Sequence, residues 1–135
     1  MRSKQRGLTL IEMIIVIGII SVLAGVSIMT YSDYMQRAKV SETLLLLSAL
    51  KTPILEFARV QNDLGNWPAT PASIGAITEG KYTTNITIAK PKIWGQVISL
   101  MSEGSIIFVY DTITHIWTCT HSPGYTLKYL PHSCK

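Results

Sequence analysis

Residues 13–32 carry no charge, and a glutamate, Glu12, stands at the front of the run. Twenty uncharged, mostly aliphatic residues are enough for a helix to cross the hydrocarbon core of a bilayer, roughly 30 Å at about 1.5 Å per residue. Glu12 conflicts with that use, because a carboxylate in or beside hydrocarbon costs about 2.5 to 3.5 kcal/mol and needs a partner. The residues just before it are Arg6, Gly7, Leu8, Thr9, Leu10 and Ile11. Cleavage after Gly7 would give Leu8 a new α-ammonium at the membrane edge, which a neighbouring copy could offer to Glu12.

A short basic leader ending in Gly7, then Leu8-Thr9-Leu10-Ile11-Glu12 and an apolar helix, resembles the class III signal of type IV prepilins and their pseudopilin relatives. The resemblance extends into Tyr31 to Tyr34, Arg37 to Glu42, the Gly65-Asn66-Trp67-Pro68 segment and the terminal Leu130-Pro131-His132-Ser133-Cys134. It implies processing between Gly7 and Leu8, N-methylation of Leu8, and an assembly role for Glu12. Leu8 departs from the family's usual Phe. Many members also carry Gly and Pro where this chain has Ser21 and Met29.

Two plainer readings compete. A secretory signal peptide has a basic start and an apolar core, but its core is shorter and a small-residue cleavage site follows it; no Ala-x-Ala pattern closes this run before Tyr31. A simple membrane anchor fits the length and leaves Glu12 unexplained.

At 135 residues the chain has room for one compact domain besides the apolar segment. The net charge of +4 suggests a nucleic-acid or membrane surface until it is divided: Arg2, Lys4 and Arg6 precede the cleavage point, and the remaining nine basic and eight acidic residues leave +1. Basic residues before a first span hold that end in the cytoplasm, so the domain faces outward. The expected division is a leader at 1–7, a transmembrane or filament-core helix at 8–32, and a globular head at 33–135 that includes the second half of the helix.

Two cysteines in an outward-facing domain read as a disulfide. Cys119 and Cys134 enclose fourteen residues, a closure of about 3 kcal/mol in the chain-entropy model. A rival stays open: Cys119, His121, His132 and Cys134 form a mirrored Cys-x-His and His-x-Cys set with four zinc ligands, although a single intervening residue is tighter than usual zinc spacing. In the disulfide reading both histidines are solvent-facing loop residues.

The apolar run passes without a turn signal into a polar helical sequence, and Leu47, Leu50, Ile54 and Phe57 recur at spacings of three and four. Leu44, Leu45 and Leu46 add apolar surface on other sides, so this part of the helix is expected to be covered by more than its own sheet. Gly65 and Trp67-Pro68 are expected to end the helix near Leu64. Beyond them, short strands are expected at 84–88, 96–101, 105–111 and 115–120, with hairpins closed by residues 102–104 and 111–114. The fold class is therefore α+β: a long N-terminal helix, apolar in its first half, packed on a small antiparallel sheet, with a C-terminal disulfide loop.

The histidines fall only at 115, 121 and 132, the acidic residues are scattered, and the glycines are too far apart for a phosphate loop, so no constellation points to catalysis or a cofactor. Tyr31 and Tyr34 share a helix face, as membrane-interface anchors or subunit contacts do. Residues 65–135 carry a net +2, weak support for nucleic acid; Lys90, Lys92 and Trp94 place two charges beside an aromatic in what reads as a solvated loop. The resemblance implies a homo-oligomeric helical filament for adhesion or twitching, with the precursor single-pass in the inner membrane and the filament outside the cell. Implied partners are a prepilin peptidase, an inner-membrane assembly platform and an outer-membrane secretin. A minor or DNA-uptake pilin and a secretion pseudopilin are the alternatives; the last is disfavoured because the stretch from Cys119 has no acidic calcium loop.

Overall fold

The computed structural model describes residues 8–98 and 104–135, so the leader with Gly7 and most of the expected 102–104 hairpin lie outside the described residues. Along the chain come α1 (Leu10–Val60), β1 (Thr83–Ala89), β2 (Lys92–Val97), β3 (Gly104–Tyr110) and β4 (Trp117–His121). Short 3₁₀ turns cover Pro71–Ile74, Leu127–Tyr129 and His132–Cys134. The chain forms two compact units, residues 1–34 and 35–135, and α1 contributes to both.

In the first unit, every residue from 8 to 31 is exposed. The most apolar 18-residue window has a mean hydropathy of 2.5 and no buried share, so the segment is long and apolar enough to cross a membrane. Its hydroxyls turn back on the helix: Ser21 Oγ donates to the Ile17 carbonyl at 2.7 Å, Ser27 Oγ to Leu23 at 2.8 Å and Thr30 Oγ1 to Val26 at 3.3 Å. Such bonds let a helix carry hydroxyls without offering an unpaired donor to lipid.

The second unit is built on the other half of α1. Gln36, Val40, Thr43, Leu47, Leu50, Ile54 and Ala58 are its buried residues. The expected apolar face is present but ends differently: Phe57 is only half-buried, and Ala58 is enclosed instead. At 3.6 residues per turn, positions 57 and 58 flank the midline almost equally, and the smaller side chain is the one the core admits. Leu45, expected to be covered, is 71% exposed, while Leu44 and Leu46 are half-buried against the core.

The helix stops four residues before the expected end. Asn62 adopts a left-handed conformation, φ 52°, the Asn62 N–H donates to the Arg59 carbonyl, and the Asp63 N–H donates to the Ala58 carbonyl. This is a Schellman cap with asparagine in the place usually taken by glycine. Gly65 therefore belongs to the following turn, where its N–H donates to Asp63 Oδ1 at 2.6 Å.

The four strands form an antiparallel meander in sequence order. Alternation puts Ile86 and Ile88, Ile93 and Val97, and Ile106, Phe108 and Tyr110 on the face toward α1. One core row runs straight across the sheet, Ile88, Ile93, Phe108 and Cys119. At Gly95 the sheet comes close to α1, since a Cβ there would lie 3.2 Å from Thr83 Cγ2 and 3.4 Å from Thr43 Cγ2.

Two strands start away from their expected positions. β2 begins at Lys92, not 96, because Lys90 and Pro91 form the tip of the β1–β2 hairpin; a proline at a tip gives up no ladder hydrogen bond. Lys92 and Trp94 are thus strand residues on the outer face, not a loop. β4 begins at Trp117, not 115, because Asp111 organises residues 111–116 as a turn with His115 at φ 58°.

The C-terminal segment closes on the sheet through buried Tyr125, Tyr129, Leu130 and Cys134. Cys119 and Cys134 form a disulfide, with Cα atoms 4.6 Å apart, which overturns the zinc alternative. His132 is exposed, as expected. His121 is not a loop residue: it is half-buried at the end of β4, and its Nδ1 donates to the Cys134 carbonyl at 3.0 Å.

Candidate functional site

Thr9 is the N-cap of α1 and Glu12 its third helical residue, a Thr-x-x-Glu pattern. The Glu12 N–H donates to Thr9 Oγ1 at 3.4 Å, and Glu12 Oε2 accepts both the Thr9 N–H and the Thr9 hydroxyl at 2.7 Å. These bonds occupy donors that the first turn of any helix leaves without intrahelical acceptors. Part of the partnering that Glu12 needs thus comes from its own chain, through Thr9. The signal was in the sequence, as a capping box four residues ahead of the hydrocarbon run.

Both Thr9 donors converge on Oε2, and Oε1 has no hydrogen bond among the described residues. Leu8, immediately before the cap, is 71% exposed. The site thus pairs a carboxylate held at a fixed angle with one open oxygen and an accessible residue one step upstream. Gly7 lies outside the described residues.

The head holds further polar features at its apolar surfaces. Glu42 Oε1 accepts the Tyr82 N–H at 2.8 Å, and the Lys39 and Lys81 ammoniums lie 5.4 and 5.1 Å from the Tyr82 ring centroid. Lys51 Nζ lies 3.7 Å from the centroid of Phe108, where burial holds its ammonium below the usual lysine range. Trp67, Tyr110 and Trp117 form an aromatic cluster with centroids 5.0 to 6.1 Å apart. None of Lys51, Tyr82 or this cluster stood out in the sequence, because lone lysines and tyrosines carry no spacing signal.

The Lys90, Lys92 and Trp94 set is spread along a hairpin, with both lysines exposed and Trp94 half-buried. Among the described residues, no group of three or more His, Cys, Asp or Glu is placed to hold a metal ion.

The prokaryotic N-terminal methylation motif matches residues 2–28, and the pilin (bacterial filament) family matches residues 36–135. The fimbrial protein EcpC of Eikenella corrodens is 31% identical over all of this chain and 94% of its own length. The type IV major pilin protein PilE1 of Neisseria gonorrhoeae is 38% identical over 73% of this chain, and the type IV major fimbrial protein FimA of Dichelobacter nodosus 38% identical over 61%. This chain spans only about half the length of these last two, 47% and 51%. No solved structure matches the chain significantly. With the cap, the apolar helix and the stapled head in place, the chain belongs to the pilin family of bacterial filament proteins, as a structural pilus subunit.

Proposed function

We propose that this chain is made as an inner-membrane precursor, cut between Gly7 and Leu8, methylated at Leu8, and assembled through residues 8–32 into an extracellular type IV pilus that serves adhesion or twitching. The observation that carries the reading is the Glu12 carboxylate, held by Thr9 with one oxygen open. The Leu8 ammonium of a neighbouring copy meets that oxygen during assembly, and both charges are satisfied away from water. Such a pair adds little net stability over an apolar one, but losing one partner typically costs about 3 to 5 kcal/mol, so it works as a register check.

The methylation-motif match supports processing and methylation at this junction. A prepilin peptidase, an inner-membrane platform and an outer-membrane secretin are the partners this route requires. Relatives named as major pilins and fimbrial proteins favour a pilus subunit over a DNA-uptake pilin or a secretion pseudopilin. The role is assembly rather than catalytic turnover. Mass spectrometry of sheared filaments tests the proposal: the mature chain begins at Leu8, with or without one added methyl, and Gly7→Leu leaves an uncut precursor. A mature N-terminus beyond Tyr31 would overturn it in favour of a secretory signal.

A further inference from the structure

An open cleft of about 750 Å³ lies between α1 and the last strand. It exists because the sheet is wider than the helix that covers it: Trp117, Cys119 and His121, the inward residues of β4, are only half-buried. Leu44, Ser48 and Lys51 form one wall, Phe108 and Trp117 the other, and the Cys119–Cys134 disulfide lies at its C-terminal end. Lys51 is the cleft's cation. Among the described residues, no acidic side chain lines the cleft and no carboxylate comes within ion-pair distance of the ammonium. A half-buried cation with aromatic neighbours and no counter-ion favours an anionic visitor.

Several carboxylates of the described head are already engaged. Glu42 accepts the Tyr82 N–H, Asp63 the Gly65 N–H, and Asp111 the Ile113 N–H and Thr114 hydroxyl. Glu56 and Glu79 remain, both exposed. Glu56 lies one turn from Arg59 on the same helix. Glu79 lies two residues after Ile77, which is 67% exposed, so this segment offers an apolar side chain and a free carboxylate together.

The two features lie on opposite flanks of the head. At about 100° per residue, positions 44, 48 and 51 lie about half a turn around α1 from positions 46, 49 and 53. Ile74 to Ile77 share a hollow with Leu46, Ala49 and Pro53. A cleft on one flank and its complement on the other make a heterologous contact, the kind that propagates from copy to copy into a ring or an open helical array and not an isologous dimer.

We propose that the Lys51 cleft of one subunit receives the Ile77–Glu79 segment of the next, with the Glu79 carboxylate on the Lys51 ammonium and Ile77 against the Phe108 and Trp117 wall. The inference rests on the filament reading above and specifies its head-to-head contact.

Zero-length carbodiimide cross-linking of sheared filaments, grown as a mixture of isotopically light and heavy subunits, tests it by peptide mass spectrometry. The expected product is a mixed-isotope Lys51 to Glu79 isopeptide, lost in Lys51→Gln. Lys51→Glu and Glu79→Lys each lower filament yield at least tenfold, and the paired reversal restores it; oxidised Cys119–Cys134 in each variant shows that the head still folds. Normal filaments with no intersubunit Lys51 cross-link, or with Lys51 joined to Glu56 or another acid, overturn the inference and leave the filament reading standing. Absence of filaments from the unaltered chain overturns the filament reading itself.

Discussion

Thr43 and Thr83 share a hydrogen bond of 2.7 Å inside the contact between helix and sheet, and neither has exposed area. Thr43 Oγ1 also lies 3.3 Å from the Lys39 carbonyl and donates there, so the Thr83 hydroxyl is the donor to Thr43. A directed polar chain thereby fixes β1 to one turn of α1, where an apolar pair would allow sliding. Thr43→Val leaves the Thr83 hydroxyl buried without an acceptor and is expected to cost about 1 to 3 kcal/mol. The double change Thr43→Val with Thr83→Val recovers most of that loss. Urea unfolding of the detergent-solubilised subunit measures both; equal losses in single and double variants would show that packing and not the hydrogen bond matters.

At the other end of the helix, Thr9 and Glu12 are expected to separate membrane insertion from assembly. Glu12→Ala removes a charge from the edge of the apolar run, so insertion is as good as before or better, while filament assembly is slow or fails. Thr9→Val removes the cap hydroxyl at a cost of about 0.5 to 2 kcal/mol to the first turn, and Thr9→Ser restores it. Membrane fractionation and filament yield report the two steps. Normal filament length and rate in Glu12→Ala would refute the pairing.

Loss of the staple is expected to weaken the head without any metal dependence. Cys119→Ser removes the bond to Cys134 and is expected to cost about 2 to 5 kcal/mol. Alkylation without reductant labels neither cysteine of the unaltered chain, and a chelator leaves its unfolding curve unchanged. A shift with chelator would contradict the bonded pair.

Acid is expected to loosen residues 111–116 before the rest of the head. The Ile113 N–H, and after it the Thr114 hydroxyl, hold the Asp111 carboxyl below the usual aspartate range. A carboxyl with a lowered folded pKa contributes its stabilisation above the unfolded value, about 3.9, and loses it as pH falls through the folded one. Amide exchange at Ile113 and His115 should therefore rise below about pH 4 relative to β3. Asp111→Ala should show the fast exchange at neutral pH. Unchanged exchange in that variant would mean that the turn does not depend on the carboxylate.

Within α1, residues 21–29 are expected to stay more helical in the filament than in relatives with proline there, and any bend is expected nearer Pro53. An interior proline costs a helix about 3 kcal/mol, and Pro53 is the proline inside this helix. A filament map with residues 21–29 extended would place the cause of unwinding in bundle packing instead.

What the sequence made legible followed from periodicity and from paired signals. Leu47, Leu50 and Ile54 announced the buried helix face by spacing alone, and two cysteines in an outward-facing domain announced the staple. What it hid were features where a residue type is used against its usual habit. Asn62 caps the helix in place of a glycine, so the end was misplaced toward Gly65. Pro91 sits at a hairpin tip, where it marks the turn between two strands and not a break, so β2 starts four residues before the expected position. The Glu12 cap was hidden differently: an unusual charge beside hydrocarbon drew attention to distant partners, when Thr9 was three residues away.

The three hydroxyls that fold back in the apolar half of α1 give this segment two characters. While Ser21, Ser27 and Thr30 donate to carbonyls of their own helix, lipid meets a surface with no free donor. A χ1 rotation turns any of them outward but breaks that bond, so in lipid the freed donor is costly. Where a neighbouring helix offers an acceptor, a hydrogen bond between helices contributes about 0.6 kcal/mol on average. In a filament built through this helix, as proposed above, these hydroxyls would therefore add attraction only between helices already side by side.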